Sequence, residues 1–329
     1  MSRTYNWAII GCGRIAEKFA TDLALLPNAR LHAAGSRSLD KAQAFATKLG
    51  FDKAFGSYEA LVADPDVDIV YVATPHAFHR EHAMLSLEHH KAVLCEKAFA
   101  INAHEAQEMI TCARKNDTFL MEAFWTRFQP SYQHAMHIVE SGALGSLKLV
   151  RSDFAFRANA DPARRLYNVD LGGGSLLDIG VYPVFMALTA LGKPDRIQTM
   201  TAFSPTGSEE SIVMSFEYPH GRMASLISSF ASSSPTEAEY WFEHGYVRLN
   251  RKFNAPTSVT VQEDGKPETT VTFPHGSGSG YELEAAHVMA CLDAGLKESP
   301  LLPLSFSLEL MELLDRIRHS AGIVYPRSD

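Results

Sequence analysis

Glu96 and Lys97 follow the apolar run K-A-V-L-C at residues 91–95. Charges do not close a buried strand without partners, because desolvating them costs several kcal/mol or more. A second polar pair, Asp178 and Tyr182, stands four residues apart in G-G-G-S-L-L-D-I-G-V-Y, so the two share one helix face. A phenol ionises near pH 10 and carries protons poorly alone, but an ammonium beside it stabilises the phenolate. Lys97 and Tyr182 together would take the hydroxyl proton of an alcohol as its hydride leaves. Asp178 would bind a substrate hydroxyl or orient the pair. On spacing alone, a core tyrosine with a satisfied hydroxyl and a locally capping aspartate explain the second pair more simply.

These groups need elements to position them. From residue 5 to about 122, short apolar runs (6–10, 30–34, 68–73, 91–96 and 118–122) alternate with amphipathic stretches (14–26, 38–49, 79–90 and 102–116). Such alternation implies a doubly wound parallel sheet, a Rossmann domain here given the bounds 1–123. Open sheets of this kind bind ligands beyond the carboxyl ends of their strands. Glu96 and Lys97 lie at one such end, and A-T-P-H, with Thr74, lies at another. The loop I-I-G-C-G-R-I-A lies at a third and matches G-x-G-x-x-A through Gly11, Gly13 and Ala16. Gly11 permits the tight turn, Gly13 lets the backbone approach a pyrophosphate, and Ala16 lets helix and strand pack closely. The helix start at Arg14 and Ile15 offers N–H groups and a positive dipole to phosphates. The lone motif is weak, and a glycine turn that binds nothing is its bland alternative. The strand–loop–helix setting makes it strong. Glu96 and Lys97 then face a bound cofactor.

A version of this fold that selects NAD ends its second strand in an acid, which bonds the ribose 2′-hydroxyl. Here R-L-H-A-A-G runs into Ser36, Arg37 and Ser38. Arg37 can pair with a 2′-phosphate, and the two serines can donate to it. The expectation is NADP, with NAD possible. The competing account makes Arg37 a solvated charge and Ser38 a helix cap, with Asp40 in the first turn.

After about residue 124 the pattern changes. Residues 130–141 look helical and 147–156 read as a strand. An irregular turn is expected around Gly180, Tyr182 and Pro183. Strand-like runs then follow one another through tight turns, with D-G at 264–265 as a hairpin. This predicts an open, mainly antiparallel sheet with helices on one face, an α+β domain over 124–329 for substrate binding and oligomerisation. The uncovered face calls for burial, so a homodimer or higher homo-oligomer is expected through it.

The chain of 329 residues is 46% hydrophobic and carries a net charge of −8. No basic stripe suggests nucleic acid, and no apolar run reaches the roughly 18 residues of a membrane helix. The N-terminal stretch does not read as a signal peptide. Cys12, Cys95, Cys112 and Cys291 form no C-x-x-C pair and suit reduced thiols in a cytoplasmic protein. His79 and His82 have a metal-like spacing but lack a third ligand on that face, so no metal is expected, and the other histidines of 76–90 read as solvated. There is no G-x-S-x-G elbow for a serine nucleophile.

The marks G-C-G-R-I-A, A-T-P-H-A-F-H, C-E-K and G-G-G-S-L-L-D-I-G-V-Y resemble the glucose–fructose oxidoreductase, inositol dehydrogenase and rhizopine-catabolism (Gfo/Idh/MocA) family over essentially the whole chain. M-E-A-F-W-T-R-F at 121–128 is most similar to its dimeric dihydrodiol dehydrogenases, which also act as NADP-dependent D-xylose dehydrogenases. The resemblance implies hydride transfer between NADP and a sugar or vicinal diol, with Lys97 and Tyr182 as the catalytic pair. Inositol-dehydrogenase-type members have histidine at the tyrosine position. It further implies substrate contacts from Trp125, Arg127, Phe154 and Phe156, and places His79 near the cofactor. The family usually reads E-K-P, whereas residue 98 is alanine, which leaves the peptide geometry beside the lysine open. Two rivals share the fold: a non-catalytic regulator that senses a dinucleotide, and a sugar–sugar oxidoreductase with tightly bound NADP.

Overall fold

The computed structural model describes residues 3–159, 161, 164–274 and 276–326. Its contacts divide the chain into two compact units, Met1–Trp125 with Gly276–Glu309, and Thr126–His275 with Leu310–Asp329.

The first unit is built on six parallel strands: β1 (Tyr5–Ile10), β2 (Ala29–Gly35), β3 (Lys53–Phe55), β4 (Ile69–Val72), β5 (Ala92–Glu96) and β6 (Leu120–Ala123). Their order is β3-β2-β1-β4-β5-β6, so the direction of winding reverses between β1 and β4. A ligand crevice opens at such a switch point. β4, β5 and β6 are buried at every residue, because helices cover both faces, and they read as unbroken apolar runs for that reason. Those helices are α1 (Arg14–Leu23), α2 (Leu39–Leu49), α3 (Tyr58–Val62), α4 (His79–Glu88) and α5 (Ala103–Lys115). Asn102 caps α5 by accepting from the Glu105 amide at 2.8 Å. β3 and α3 were not expected; they are only three and five residues long, too short to show a period.

The second unit begins with α6 (Pro130–Ser141) and β7 (Leu147–Ala155), then α7 (Val181–Leu191). The strands β8 (Arg196–Phe203), β9 (Glu209–Glu217), β10 (Met223–Ser229), β11 (Ala238–Phe242), β12 (Gly245–Leu249), β13 (Ser258–Glu263) and β14 (Thr269–Thr272) complete it. Eight strands form one sheet in the order β14-β13-β12-β11-β7-β10-β9-β8. Every pairing is antiparallel except β7 with β10. One face is apolar and buried, carrying Val150, Ile212, Met214, Leu226 and Tyr240, with α7 packed against β7 and β10. The other face is exposed and carries two apolar rows in register, Met200–Val213–Ile227 and Met223–Leu149–Trp241.

Two helices close the chain, α8 (Tyr281–Asp293) and α9 (Leu304–Ala321). The reading from sequence kept everything after 123 in one domain, yet 276–309 packs with the first unit. Specific bonds explain this. Asp22 of α1 accepts from the Ser279 and Tyr281 amides at 2.8 and 3.0 Å, which fixes the start of α8. The Tyr5 hydroxyl donates to Asp293 at 2.8 Å, and the Leu120 amide donates to the Lys297 carbonyl at 3.1 Å. One expectation about apolar runs also needs correcting. Val169–Leu191 is long and apolar enough to cross a membrane by composition, but it is buried almost throughout, as a core helix is.

Candidate active site

The glycine loop joins β1 to α1. Gly11 has φ +98°, and a Cβ there would stand 2.9 Å from the Ala73 carbonyl oxygen, so the loop lies flat against the end of β4 only because the residue is glycine. Gly13 is exposed, and a Cβ built on it meets nothing within 4 Å. It is the N-cap of α1 and makes no side-chain capping bond. The amides of Arg14, Ile15 and Ala16 therefore have no acceptor within the helix. Open space, undirected N–H donors and the positive end of a helix fit the pyrophosphate of a dinucleotide.

At the end of β2, Ser36 is buried and its hydroxyl accepts from the Ser38 amide at 3.4 Å. Ser38 caps α2 by accepting from the Lys41 amide at 3.4 Å, and Asp40 lies in the first turn. Arg37 is exposed, and no acid occupies the strand tip. His82 is buried nearby, with the Tyr58 ring edge-on at 4.5 Å. Burial, and then the Arg37 charge, push the His82 pKa down to about 4. Of the histidines in 76–90, His76, His79 and His82 are buried; only His89 and His90 are solvated as expected. His82 instead bonds Thr74 through Nδ1 at 3.0 Å.

Lys97 leaves β5 half-buried, and the peptide to Ala98 is cis. Glu96 turns inward: the Tyr71 hydroxyl donates to Oε1, and the Lys97 amide donates to Oε2 at 3.2 Å. His79 is fully buried, with Nδ1 2.9 Å from the Ala98 carbonyl oxygen and Nε2 2.8 Å from that of Thr74. Two more carboxyls are fully buried in this unit, Glu122, which has the Ser307 hydroxyl and the Phe99 backbone beside it, and Glu284. Burial pushes the Glu122 pKa up to about 7, and burial with the Glu96 charge holds Glu284 well above the usual carboxylate range. Both are thus held toward the neutral acid. Trp125 is buried and stacks on Tyr281, with ring centroids 4.3 Å apart and planes 6° from parallel.

In the second unit a π-helical turn, Leu176–Gly180, leads into α7. The irregularity expected near Gly180 is this turn, a feature often found at functional sites. It carries Asp178, and Tyr182 follows in the first turn of α7. Gly174, at φ +132°, passes so close to Glu209 that a Cβ would overlap its carboxyl, 2.1 Å from Oε2. Glu209 accepts from the Leu176 amide at 2.7 Å and thereby caps the turn. The Arg165 guanidinium donates to Asp178 at 2.8 Å. Phe154 and Phe156, two apart on β7 and just past it, lie on one face. The Phe154 ring is 5.5 Å from that of Tyr182, and Phe156 continues the aromatic wall to Phe230 at 5.3 Å. Arg127 places its guanidinium over the Tyr132 ring at 5.6 Å.

Of the residues singled out from sequence, Gly11, Gly13, Arg14, Ile15, Ser36, Arg37, Thr74, His79, Glu96, Lys97 and Trp125 belong to the first unit. Arg127, Phe154, Phe156, Asp178 and Tyr182 belong to the second. Sequence reasoning missed Tyr71, Tyr281, Glu284, Arg165 and Glu209. Only Glu209 left a trace, an acid at the head of an apolar alternation.

A glycine loop at the switch point of a parallel sheet, followed by a second unit with an open, mainly antiparallel sheet, defines a two-domain dinucleotide-dependent oxidoreductase. Residues 5–124 match the oxidoreductase family with an NAD-binding Rossmann fold, and residues 132–248 match the GFO/IDH/MocA C-terminal domain, so the chain belongs to this family. It is 37% identical to trans-1,2-dihydrobenzene-1,2-diol dehydrogenase of Xenopus laevis, covering 98% of this chain and 99% of that one. With the protein of the same name from Mus musculus it shares 36% identity, covering 98% of each. Among solved structures, the aldose-aldose oxidoreductase of Caulobacter crescentus superposes with a TM-score of 0.88 at 24% identity, covering 97% of this chain and 98% of that one. A 3-ketoreductase from Actinomadura kijaniata, crystallised with NADP, has the same fold at a TM-score of 0.86 and 24% identity, covering 97% and 98%.

Proposed function

We propose that this protein oxidises a secondary alcohol of a cyclic sugar or of a vicinal dihydrodiol, with NADP as its preferred cofactor. One observation carries the reading: an aromatic wall, Phe154 and Phe156, runs beside the phenol of Tyr182, with Asp178 one helical turn away. A flat apolar face next to a phenol and a carboxylate suits a ring that bears adjacent hydroxyls. The full-length kinship with the diol dehydrogenases supports the same substrate class. The nicotinamide dinucleotide supplies the hydride acceptor when bound. Gly11, Gly13 and the Arg14 and Ile15 amides hold its pyrophosphate, while Ser36 and Arg37 select the 2′-phosphate. Tyr182 takes the hydroxyl proton, Lys97 stabilises the phenolate, and Asp178 orients the substrate hydroxyl. Trp125, Arg127, Phe154 and Phe156 shape the substrate pocket.

The exposed face of the second sheet supports a homodimer, since its two apolar rows are of the kind that associating copies bury. The four cysteines are free thiols, which suits the cytoplasm.

The test is a panel of aldoses and trans-dihydrodiols assayed with NADP and NAD, following absorbance of the reduced nicotinamide. Turnover with NADP on one of these classes is expected. No absorbance change across the panel would favour a dinucleotide-sensing regulator, and purification with stoichiometric nicotinamide would favour a sugar–sugar oxidoreductase.

A further inference from the structure

The run G-G-G-S at 172–175 leads into the Asp178 turn, and the packing around it shows why no side chain precedes Ser175. A Cβ on Gly173 would stand 2.5 Å from the Arg165 carbonyl oxygen and 2.6 Å from that of Asn168. The Gly173 amide donates to the Asn168 carbonyl and the Gly174 amide to that of Leu166, both at 2.9 Å. Residues 165–168 therefore lie backbone against backbone on the glycines. Their other anchor is Tyr167, at the end of the 3₁₀ turn Arg165–Tyr167. Tyr167 is buried in one cluster with Ile179 and Phe230, and its hydroxyl donates to Glu210 at 2.9 Å. Held at both points, the turn delivers the Arg165 guanidinium to Asp178 Oδ1 at 2.8 Å.

The Asp178 side chain is 12% exposed, whereas that of Arg165 is 40% exposed. A carboxylate so nearly buried needs a cation or donors beside it. Water screens the more exposed guanidinium, so the pair contributes little to folding stability, and its consequence is orientation. The Phe156 ring of the aromatic wall lies 5.3 Å from Phe230, and Phe230 lies 5.8 Å from Tyr167. One aromatic cluster thus fixes both the wall beside Tyr182 and the turn that carries Arg165. In the proposed reaction, the angle of the Asp178 carboxylate sets how a hydroxyl bound there meets the phenol four residues on. A misplacement of about 1 Å can cost about a hundredfold in rate.

We infer that Arg165 is a positioning residue: it acts through Asp178, holding the carboxylate in the orientation that receives the substrate hydroxyl, and Gly173 and Gly174 give its turn the room to pack there. The inference rests on the proposed role of Asp178. It assigns Arg165 no contact with substrate or cofactor.

Four variants test it. Arg165→Met keeps an unbranched stem and removes the charge, and Arg165→Lys keeps the charge. They are compared with Asp178→Asn and with the double variant Arg165→Met/Asp178→Asn, by kcat and KM on the best substrate and NADPH affinity by fluorescence titration. For Arg165→Met, kcat/KM should fall tenfold or more while NADPH affinity stays within twofold. Arg165→Lys should stay within threefold of wild type. The double variant should lose no more than twofold beyond Asp178→Asn, because a residue that acts only through Asp178 has nothing left to act on. A smaller loss in Arg165→Met overturns the inference. So does a larger loss in the double variant, which would make Arg165 a substrate contact of its own. If Arg165→Met does not fold, Arg165→Lys decides, and a loss beyond threefold there overturns the inference equally. Crystal structures of the NADPH-bound wild type and Arg165→Met give a readout free of turnover: the Asp178 carboxylate should leave its wild-type orientation in the variant, and an unchanged orientation overturns the inference. If the wild-type protein turns over no sugar or diol, the oxidoreductase reading fails by itself, and that orientation alone decides the role of Arg165.

Discussion

Tyr281 lies flat against Trp125, ring centroids 4.3 Å apart, although 156 positions separate the two in the chain. The contact exists because Asp22 pins the start of α8 through the Ser279 and Tyr281 amides. A stacked ring holds its partner in one orientation and contributes about 0.5–1.5 kcal/mol beyond its area. The proposed role of Trp125 as a substrate contact therefore depends on how Tyr281 holds its ring. Tyr281→Ala should raise KM for the sugar or diol about three- to tenfold while NADPH affinity stays within twofold. Steady-state kinetics with a parallel fluorescence titration check this; an unchanged KM would release Trp125 from the proposed pocket.

Tyr182 carries the largest predicted effect. Its hydroxyl is the only atom that Tyr182→Phe removes, so the Phe154 wall and the α7 packing should persist. A positioned acid–base group contributes about a hundredfold to ten-thousandfold, and kcat should fall by that order with cofactor affinity unaltered. Turnover at the wild-type rate would assign the proton to another group.

The parts legible in sequence are those with a period or a motif. Buried β4, β5 and β6 announce themselves as apolar runs, and the glycine loop declares its turn because Gly11 has no steric alternative. Lys97, Asp178 and Tyr182 stood out as polar groups in apolar settings. What stayed hidden depends on contacts across long separations. Nothing around Tyr281 points to Trp125, and nothing in R-R-L-Y points Arg165 to Asp178. His79 stood out by its spacing in T-P-x-x-x-H, but that spacing carries no sign that its ring lies between the Thr74 and Ala98 carbonyl oxygens. β8, with its R-I-Q-T-M-T-A-F alternation, lies at the sheet edge with no fully buried residue, so its pattern is weak.

The proposed preference for NADP rests on Arg37. It is exposed at the tip of β2, and its charge reaches Tyr58 and His82. A charge-assisted bond to phosphate contributes about 1.5–3 kcal/mol, or roughly ten- to a hundredfold. Arg37→Ala should weaken NADP binding by that factor and leave NAD within twofold, measured by titration calorimetry. Equal losses for both cofactors would place the 2′-phosphate elsewhere.

Association should run through the exposed sheet face. Met200 is 78% exposed and Met223 53%, values that invite coverage by a second apolar surface. A double change, Met200→Asp with Val213→Asp, places two charges in one in-register row without touching the buried face. Light scattering should show a dimer for the wild type and a monomer for the variant at micromolar concentration. A wild-type monomer would remove the interface.

Glu209 gives a prediction about stability. Burial pushes its pKa up to about 8, opposed only in part by the Leu176 amide it accepts from, whereas an unburied carboxyl titrates near 4.5. Below pH 4.5 the group is protonated in both folded and unfolded chains and contributes no pH dependence. Between 4.5 and 8 the unfolded chain ionises while the folded one keeps its proton, so stability declines as pH rises. The slope has a ceiling of about 1.4 kcal/mol per pH unit for one group. Above 8 the folded carboxyl also ionises and the decline stops. Glu209→Gln keeps an oxygen for the Leu176 amide but has nothing to ionise. Its stability relative to wild type should therefore grow from pH 5 to pH 8 and then level off, in urea denaturation at several pH values. A difference that stays flat across that range would mean that the acid is ionised in the folded protein. The capping of the Asp178 turn would then be by a carboxylate.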